Sequence, residues 1–492
     1  MTALSDPTFD SAYSGPAHVP GYDRSAVRPG VAHLGVGAFH RGHQAYFADK
    51  LLELGEDPSW GIAGIGVKPV DAAVRDALVP QHGRYTVLFK DSTTREARVI
   101  GSIVDYKLAP DDVEAAVETI ADPGIRIVEL TVTEGGYYND PHTGQFMADE
   151  PDVAHDLANP QAPRTHFGLI AEALRRRRDR GIPAPTLLTC DNIQGNGHVF
   201  RTAMLDFARL QDPDLATWIA ENVAFPNTMV DRITPRTTDA DRAEVARDLG
   251  IEDAWPIVGE TFAQWVVEDH FPAGRPAWEK VGVQMVDDVF PYELLKLRIL
   301  NATHQLLAYL GFLAGYTYVD EAASDPAFVA LQRRYMTREG FPTLRPVPGT
   351  DVAAYGEQII ERFSNTQIKD TLARLCTESS TYISTFVLPV LRDNLAAGGD
   401  IEVLTLVVAA WARYLEGTDE HGAPVEIVER RWDDLHARAL AHRDDPGAFL
   451  AGNTVLGDLA RDERFATAFA AASQAVHARG VRSAIADLLA TH

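Results

Sequence analysis

Between Pro291 and His304 the chain reads Pro-Tyr-Glu-Leu-Leu-Lys-Leu-Arg-Ile-Leu-Asn-Ala-Thr-His. On a helix turning about 100° per residue, Glu293, Lys296, Asn301 and His304 fall within one arc of roughly 140°. Leu297 and Leu300 share that arc, so the polar set lies among apolar neighbours. Burial disfavours an ammonium, and a lysine held in this way serves as a general base near neutral pH. The competing reading is an ordinary helix face on which Glu293 pairs with Lys296 three residues on. One ion pair leaves Asn301 and His304 unsatisfied, which weighs against that reading. From these residues alone both stand.

A second constellation is Gly35-Val36-Gly37-Ala38-Phe39-His40-Arg41, placed after an apolar strand and at the start of a helix. Glycines there let the backbone approach a dinucleotide pyrophosphate. His40 replaces the third glycine of the usual pattern, so an ordinary strand-to-helix turn competes with the cofactor reading. Gly35, Gly37, Phe39, His40 and Arg41 are the candidate cofactor residues, with Arg41 facing a phosphate or a surface acid. Asp71, past the second strand, is the expected acceptor for the adenosine ribose hydroxyls, while Lys68 nearby suits a ribose phosphate. A third group, Asp191-Asn192-Ile193-Gln194-Gly195-Asn196-Gly197, follows an apolar strand at the end where open α/β sheets bind ligands. Asn192 is an uncharged donor for an oxygen developing negative charge; its alternative is a turn residue capping the next helix.

These groups sit on two kinds of element. Apolar strand-length runs at 31–36, 61–67, 85–89, 99–106, 125–133 and 185–190 alternate with helical spacing at 39–54, 111–120 and 165–180, which implies a mostly parallel sheet covered on both faces. From about Tyr292 the pattern is helical throughout. The fold expected is α/β plus all-α: a Rossmann-type domain over 1–285, then a mainly α-helical domain over 286–492. The first thirty residues, rich in Pro, Gly and Ser, read as a mobile arm. The four arginines Arg175–Arg178 read as a solvated helix end. Acids outnumber bases 70 to 45 in 492 residues, a formal charge of −25. That disfavours nucleic acid and anionic membranes. No apolar run approaches the roughly 18 residues of a membrane span, and no signal peptide is legible. A cytoplasmic enzyme is expected, a monomer by default. Two cysteines, Cys190 and Cys376, cannot build a cysteine-rich zinc site, and no metal is expected.

From about Gly30 to Leu415 the chain resembles the polyol-specific long-chain dehydrogenases. The resemblance rests on Gly-Val-Gly-Ala-Phe-His-Arg-Gly-His-Gln, Thr-Glu-Gly-Gly-Tyr, Cys-Asp-Asn, Phe-Pro-Asn-Thr-Met-Val-Asp-Arg-Ile-Thr-Pro and Lys-Leu-Arg-Ile-Leu-Asn-Ala-Thr-His. It implies zinc-independent, NAD-dependent oxidation of a polyol to a ketose, D-mannitol to D-fructose foremost, with NADP the lesser cofactor. It also implies roles: Lys296 as base, Asn192 and Asn301 holding the oxyanion, His304 orienting substrate, Glu293 passing the proton to solvent. Asp231 would shape the substrate site and Arg374 would contact distal hydroxyls. One departure is Tyr382, at a position where the family often carries lysine. It leaves arabinitol, sorbitol or another polyol as alternative substrates; a uronate (fructuronate) reductase on the same scaffold is a further alternative, against which the missing cation weighs. A nucleotide sensor without catalysis is the reading from another class, and it has no use for a buried base.

Overall fold

The computed structural model describes residues 1–139, 144–443, 445 and 447–491. Its strands run, in chain order, over Thr2–Ala3 (β1), Pro29–Leu34 (β2), Gly61–Gly66 (β3), Tyr85–Lys90 (β4), Arg95–Ile100 (β5), Ile103–Leu108 (β6), Ile127–Leu130 (β7), Thr186–Thr189 (β8), Thr228–Asp231 (β9), Ile251–Glu252 (β10), Ile257–Gly259 (β11), Gln264–Glu268 (β12) and Gln284–Val286 (β13). The chain divides into two compact units, Met1–Phe290 and Pro291–His492. The sequence places the boundary at 285/286; β13, which pairs with β12, carries the first unit a few residues further.

The centre of the first unit is a sheet ordered β6-β3-β2-β7-β8, every pair parallel. Counted along the chain this is 3-2-1-4-5, so the strand order reverses between β2 and β7. The carboxyl ends of strands at such a reversal form the binding crevice of open α/β sheets. Strands β2, β3, β7 and β8 are short, mostly apolar and buried on both faces, as a parallel sheet requires, while β6 at the edge is half-buried. One face packs Leu34, Ile65, Val128 and Leu130 against Val117, Ile120, Phe167, Leu174 and Phe200. The other packs Val31, Ile62, Ile127 and Leu188 with Phe47, Leu51 and Trp265.

Tertiary partners overrule several local expectations. The expected strand 99–106 breaks at Gly101-Ser102 into β5 and β6. The expected helix 39–54 breaks at His43 (φ −127°, ψ −85°), whose ring Nε2 meets the Gln264 carbonyl at 2.9 Å. The N-terminal segment is no mobile arm: β1 pairs with β10, and Leu4 and Phe9 are buried against Val245 and Leu249. Nor is the arginine run wholly solvated. Arg177 is buried and donates to the carbonyls of Ile120, Ile125 and Pro183, while Arg176 binds Glu114, Glu118 and Glu172.

The second unit is helical. Helices Pro326–Tyr335, Val352–Phe363, Glu402–Tyr414 and Glu463–Ala490 agree with the periodicity, the last bent at Gly480. The long expected helix 294–313 is instead composite: Phe290–Leu295 is α, Lys296–Asn301 is π, Ala302–Leu306 is α and Leu307–Gly311 is π.

Candidate active site

In the second unit the polar set lies on the composite helix. Glu293, Lys296 and His304 are buried, at 4%, 5% and 8% exposure, and Asn301 is half-buried. The π-turn spans Lys296 to Asn301, so the phase between them is not that of a straight α-helix. Such widened turns recur at functional sites, because they re-aim side chains without breaking the backbone ladder. His304 is held by Phe363, whose ring stacks on it at 4.0 Å and 21°. Asn301 Oδ1 is buried and has no hydrogen-bond partner among the described residues, so the amide retains capacity for an incoming group. The flanking scaffold is firm: Arg298 donates to the Thr343 carbonyl at 2.8 Å and pairs with Asp393 at 2.6 Å. Lys296 and Glu293 are both in the interior, so this is not a solvated helix face. Phe363 is a contributor that no local pattern points to.

In the same unit Arg374 is exposed at 57% and tied to Asp370 four residues back, Nε to Oδ1 at 2.5 Å. That pairing raises the guanidinium's affinity for its proton. Tyr382 closes the short helix Ser379–Tyr382 and stacks on Phe386 at 5.7 Å. The helix is anchored by Glu429, which accepts from both Ser379 and Ser380 hydroxyls.

In the first unit the glycine turn follows β2 at the sheet's reversal point. Gly35 has φ +87°, and a Cβ there would lie 2.4 Å from the Thr131 carbonyl, so only glycine fits. Gly37 is different. Its φ is −79°, and a Cβ would meet nothing nearer than Gly35 O at 3.9 Å. A side chain there would fill only the open space before the turn, which is where a pyrophosphate would approach. The residues present therefore fit a dinucleotide. Phe39 is half-buried and stacks on His43 at 4.9 Å. Asp71 lies just beyond the carboxyl end of β3; its Oδ2 accepts from Val67 and Lys68 backbone N–H at 2.8 and 2.9 Å. Oδ1 is the carboxylate atom left for a ribose hydroxyl.

Two expected cofactor residues turn inward instead. Arg41 is 1% exposed, donates to the Trp255 carbonyl at 2.7 Å and lies over the Tyr85 and Trp255 rings. It reaches neither phosphate nor surface acid. His40 is fully buried, stacked on His33 with ring centres 3.3 Å apart, and burial holds its pKa well below the usual histidine value. Both follow from a helix start whose inner face is core.

At the end of β8, Asp191 rather than Asn192 is the buried anchor. It accepts from Val132 N, Thr133 N and the Tyr137 hydroxyl, tying the Thr-Glu-Gly-Gly-Tyr segment to the strand end. Asn192 next to it is exposed. Asn196 takes the turn role, bonding Asp191 O and Thr228 O. Asp231 ends β9 and is buried at 4%.

One cluster unreadable from spacing is His33, His40 and Glu129, the sole group among the described residues with three ligand atoms close enough for a metal ion. The two imidazoles lie face to face at 19°, and the His33 nitrogens are engaged by Glu129, within the cluster, and by the Thr131 hydroxyl.

A parallel sheet in 3-2-1-4-5 order, a glycine turn at its reversal point and a helical second unit bearing an interior lysine define a Rossmann-type dehydrogenase architecture. Residues 29–280 match the model of the mannitol dehydrogenase Rossmann domain, and residues 288–477 match that of the mannitol dehydrogenase C-terminal domain. The chain belongs to the mannitol dehydrogenase family. It is 45% identical over 471 residues to mannitol 2-dehydrogenase of Cereibacter sphaeroides, covering 96% of this chain and 98% of that protein. It is 44% identical over 473 residues to mannitol 2-dehydrogenase of Phaeosphaeria nodorum, covering 95% and 83%. Among solved structures, the Pseudomonas fluorescens mannitol 2-dehydrogenase ternary complex with NAD and D-mannitol superposes with a TM-score of 0.92 at 43% identity, covering 100% of both chains. A substrate-free D-sorbitol dehydrogenase superposes at 0.89 with 35% identity, covering 99% of this chain and 100% of that one.

Proposed function

We propose that this chain is an NAD-dependent mannitol 2-dehydrogenase, interconverting D-mannitol and D-fructose with Lys296 as the base and no metal. The observation that carries the reading is the interior position of Lys296 at the start of a π-turn, on a helix whose residues Glu293 and His304 are buried as well. When bound, NAD supplies the hydride acceptor; Gly35, Gly37 and Phe39 would hold it at the turn and Asp71 at the ribose. Neutral Lys296 Nζ takes the hydroxyl proton as the carbinol hydride departs, leaving a ketone. Asn192 and Asn301 donate to the oxygen while it carries negative charge, the role fixed donors perform at lowest reorganisation cost. His304, immobilised by Phe363, orients the hydroxyl. Glu293, three residues before Lys296, takes the proton onward to solvent. Asp231 and Arg374 contact the remainder of the polyol.

Lys296→Ala is expected to lower turnover by roughly 10²-fold or more, with NADH affinity retained. Where Lys296 is the base, wild-type oxidation should rise with pH through one ionisation that the variant lacks. Near-normal turnover in the variant removes Lys296 from the mechanism. Tyr382 favours a second reading, in which another polyol is preferred, because no cation stands at that position. Steady-state rates on mannitol, sorbitol, arabinitol, fructose and fructuronate with both nicotinamides separate the two.

A further inference from the structure

Behind the glycine turn is a buried hydrogen-bonded chain with no part in proton transfer to or from substrate. His33 in β2 stands directly opposite Glu129 in β7, in the strand pair where the sheet reverses. Both side chains are buried, at 0% and 2% exposure. His33 Nδ1 faces Glu129 Oε2 at 2.7 Å, and Nε2 faces Thr131 Oγ1 at 3.0 Å. The Thr131 hydroxyl in turn donates to the Gly35 carbonyl at 2.7 Å. That fixes the protons: Thr131 gives its hydrogen to Gly35 O, so it must accept from His33 Nε2–H. Nδ1 and the Glu129 carboxyl close the other end of the chain. Gly35 O also accepts from Gly37 N at 2.7 Å. The same His33 ring carries His40, stacked at 3.3 Å, and so pins the start of the helix that follows the turn.

We propose that His33 and Thr131 are positioning residues for the dinucleotide: the chain Glu129–His33–Thr131 holds the Gly35 carbonyl inward and so keeps the turn in the form that the cofactor's pyrophosphate meets. A left-handed glycine has many alternatives open to it. Backbone contacts frame this one, Gly35 N to Ile65 O at 3.1 Å and Thr131 N to Leu34 O at 3.2 Å; the side chains that meet its carbonyl are the Thr131 hydroxyl at 2.7 Å and, farther off, His33 Nε2 at 3.3 Å. Pre-forming the turn lowers the ordering cost of binding, which acts on cofactor affinity rather than on turnover.

This rests on the cofactor placement proposed above, and its test separates the two. Thr131→Val removes the hydroxyl at nearly constant volume. NADH titration in the absence of substrate should show a five- to twentyfold weaker Kd, and hydrogen exchange at the Gly35–Ala38 amides of cofactor-free protein should quicken. Turnover at saturating cofactor should stay within about twofold. Thr131→Ser should restore wild-type affinity. His33→Asn should weaken NADH comparably, and the double variant should add little, because both cut one chain. Should the His33 variant fail to fold, the threonine series alone decides. A folded Thr131→Val protein that binds NADH within twofold of wild type overturns the proposal, as does a Ser variant as weak as Val. If Gly37→Val weakens binding while Thr131→Val does not, only this inference falls. If neither matters, the cofactor placement itself is wrong.

Discussion

Gly35 and Gly37 stand two residues apart in one motif, yet the structure gives them different duties. Gly35 is required by the protein itself, since its φ of +87° and the Thr131 carbonyl 2.4 Å from a Cβ exclude any side chain. Gly37 has ordinary φ and open space in front of it. Gly37→Val is therefore expected to leave the melting temperature within a degree or two while raising the NADH Kd at least tenfold. Gly35→Val should lower the melting temperature outright. Calorimetry and cofactor titration on the pair check this, and equal losses of stability would show that Gly37 too is structural. Lys296 carries the same lesson. Its residue type marks chemistry, but its 5% exposure is what sets it apart from a lysine on a solvated helix face.

Among the elements, the helix Glu402–Tyr414 has no cap of its own, because Ile401 occupies the N-cap position. Its first N–H groups are instead satisfied by Glu339, which accepts from Val403 N at 2.5 Å and Leu404 N at 3.0 Å. Burial outweighs those two bonds and pushes the Glu339 carboxyl up to about 7. An acid whose folded pKa is raised contributes stability that is present below the ordinary carboxylate range and lost as pH rises through the folded value. Wild-type stability should accordingly decline between about pH 4.5 and 7 through this group. Glu339→Gln should remove that part of the slope. Denaturant unfolding of both proteins at pH 5 and 8 measures it; an unchanged difference between the two pH values would show that Glu339 titrates normally. No sequence rule connects residues 339 and 403, so the cap is visible only in the folded chain.

For the molecule as a whole, the arrangement of histidines bears on metal dependence. Among the described residues the one cluster near enough in space is His33, His40 and Glu129, in which the His33 nitrogens already face Glu129 and Thr131. Zinc ligands need lone pairs that meet at one point about 2 Å from each donor. Activity and melting temperature are thus expected to survive exhaustive chelation. Loss with EDTA that zinc restores would overturn the metal-free mechanism and make this cluster the first place to look. The same −25 charge that argues against nucleic acid also accounts for the density of surface ion pairs, since most arginines find an acid in reach. Among the described residues no helix is long and apolar enough to cross a membrane.

The amino-acid sequence by itself determined the alternation of strand and helix in the first unit, the helical second unit, the glycine turn and the polar set from Glu293 to His304. Those are legible because they repeat over one or two turns or one strand, where side-chain period and turn chemistry act locally. Only the tertiary structure decided which polar groups are interior. Arg41 and His40 read as cofactor contacts from the motif, but face the core because Trp255, Tyr85 and His33 arrive from elsewhere in the chain. Arg177 enters the interior because the carbonyls of Ile120 and Ile125, distant in sequence, need a donor, as does that of Pro183 just past its helix. The N-terminal segment is held because β10 offers it an edge. The π-turn at Lys296 leaves no mark in a pattern read at 100° per residue. Burial of a polar side chain depends on partners that satisfy it, and many of those partners, such as Trp255 for Arg41 and Ile120 for Arg177, lie tens to hundreds of residues away, beyond the reach of any local period.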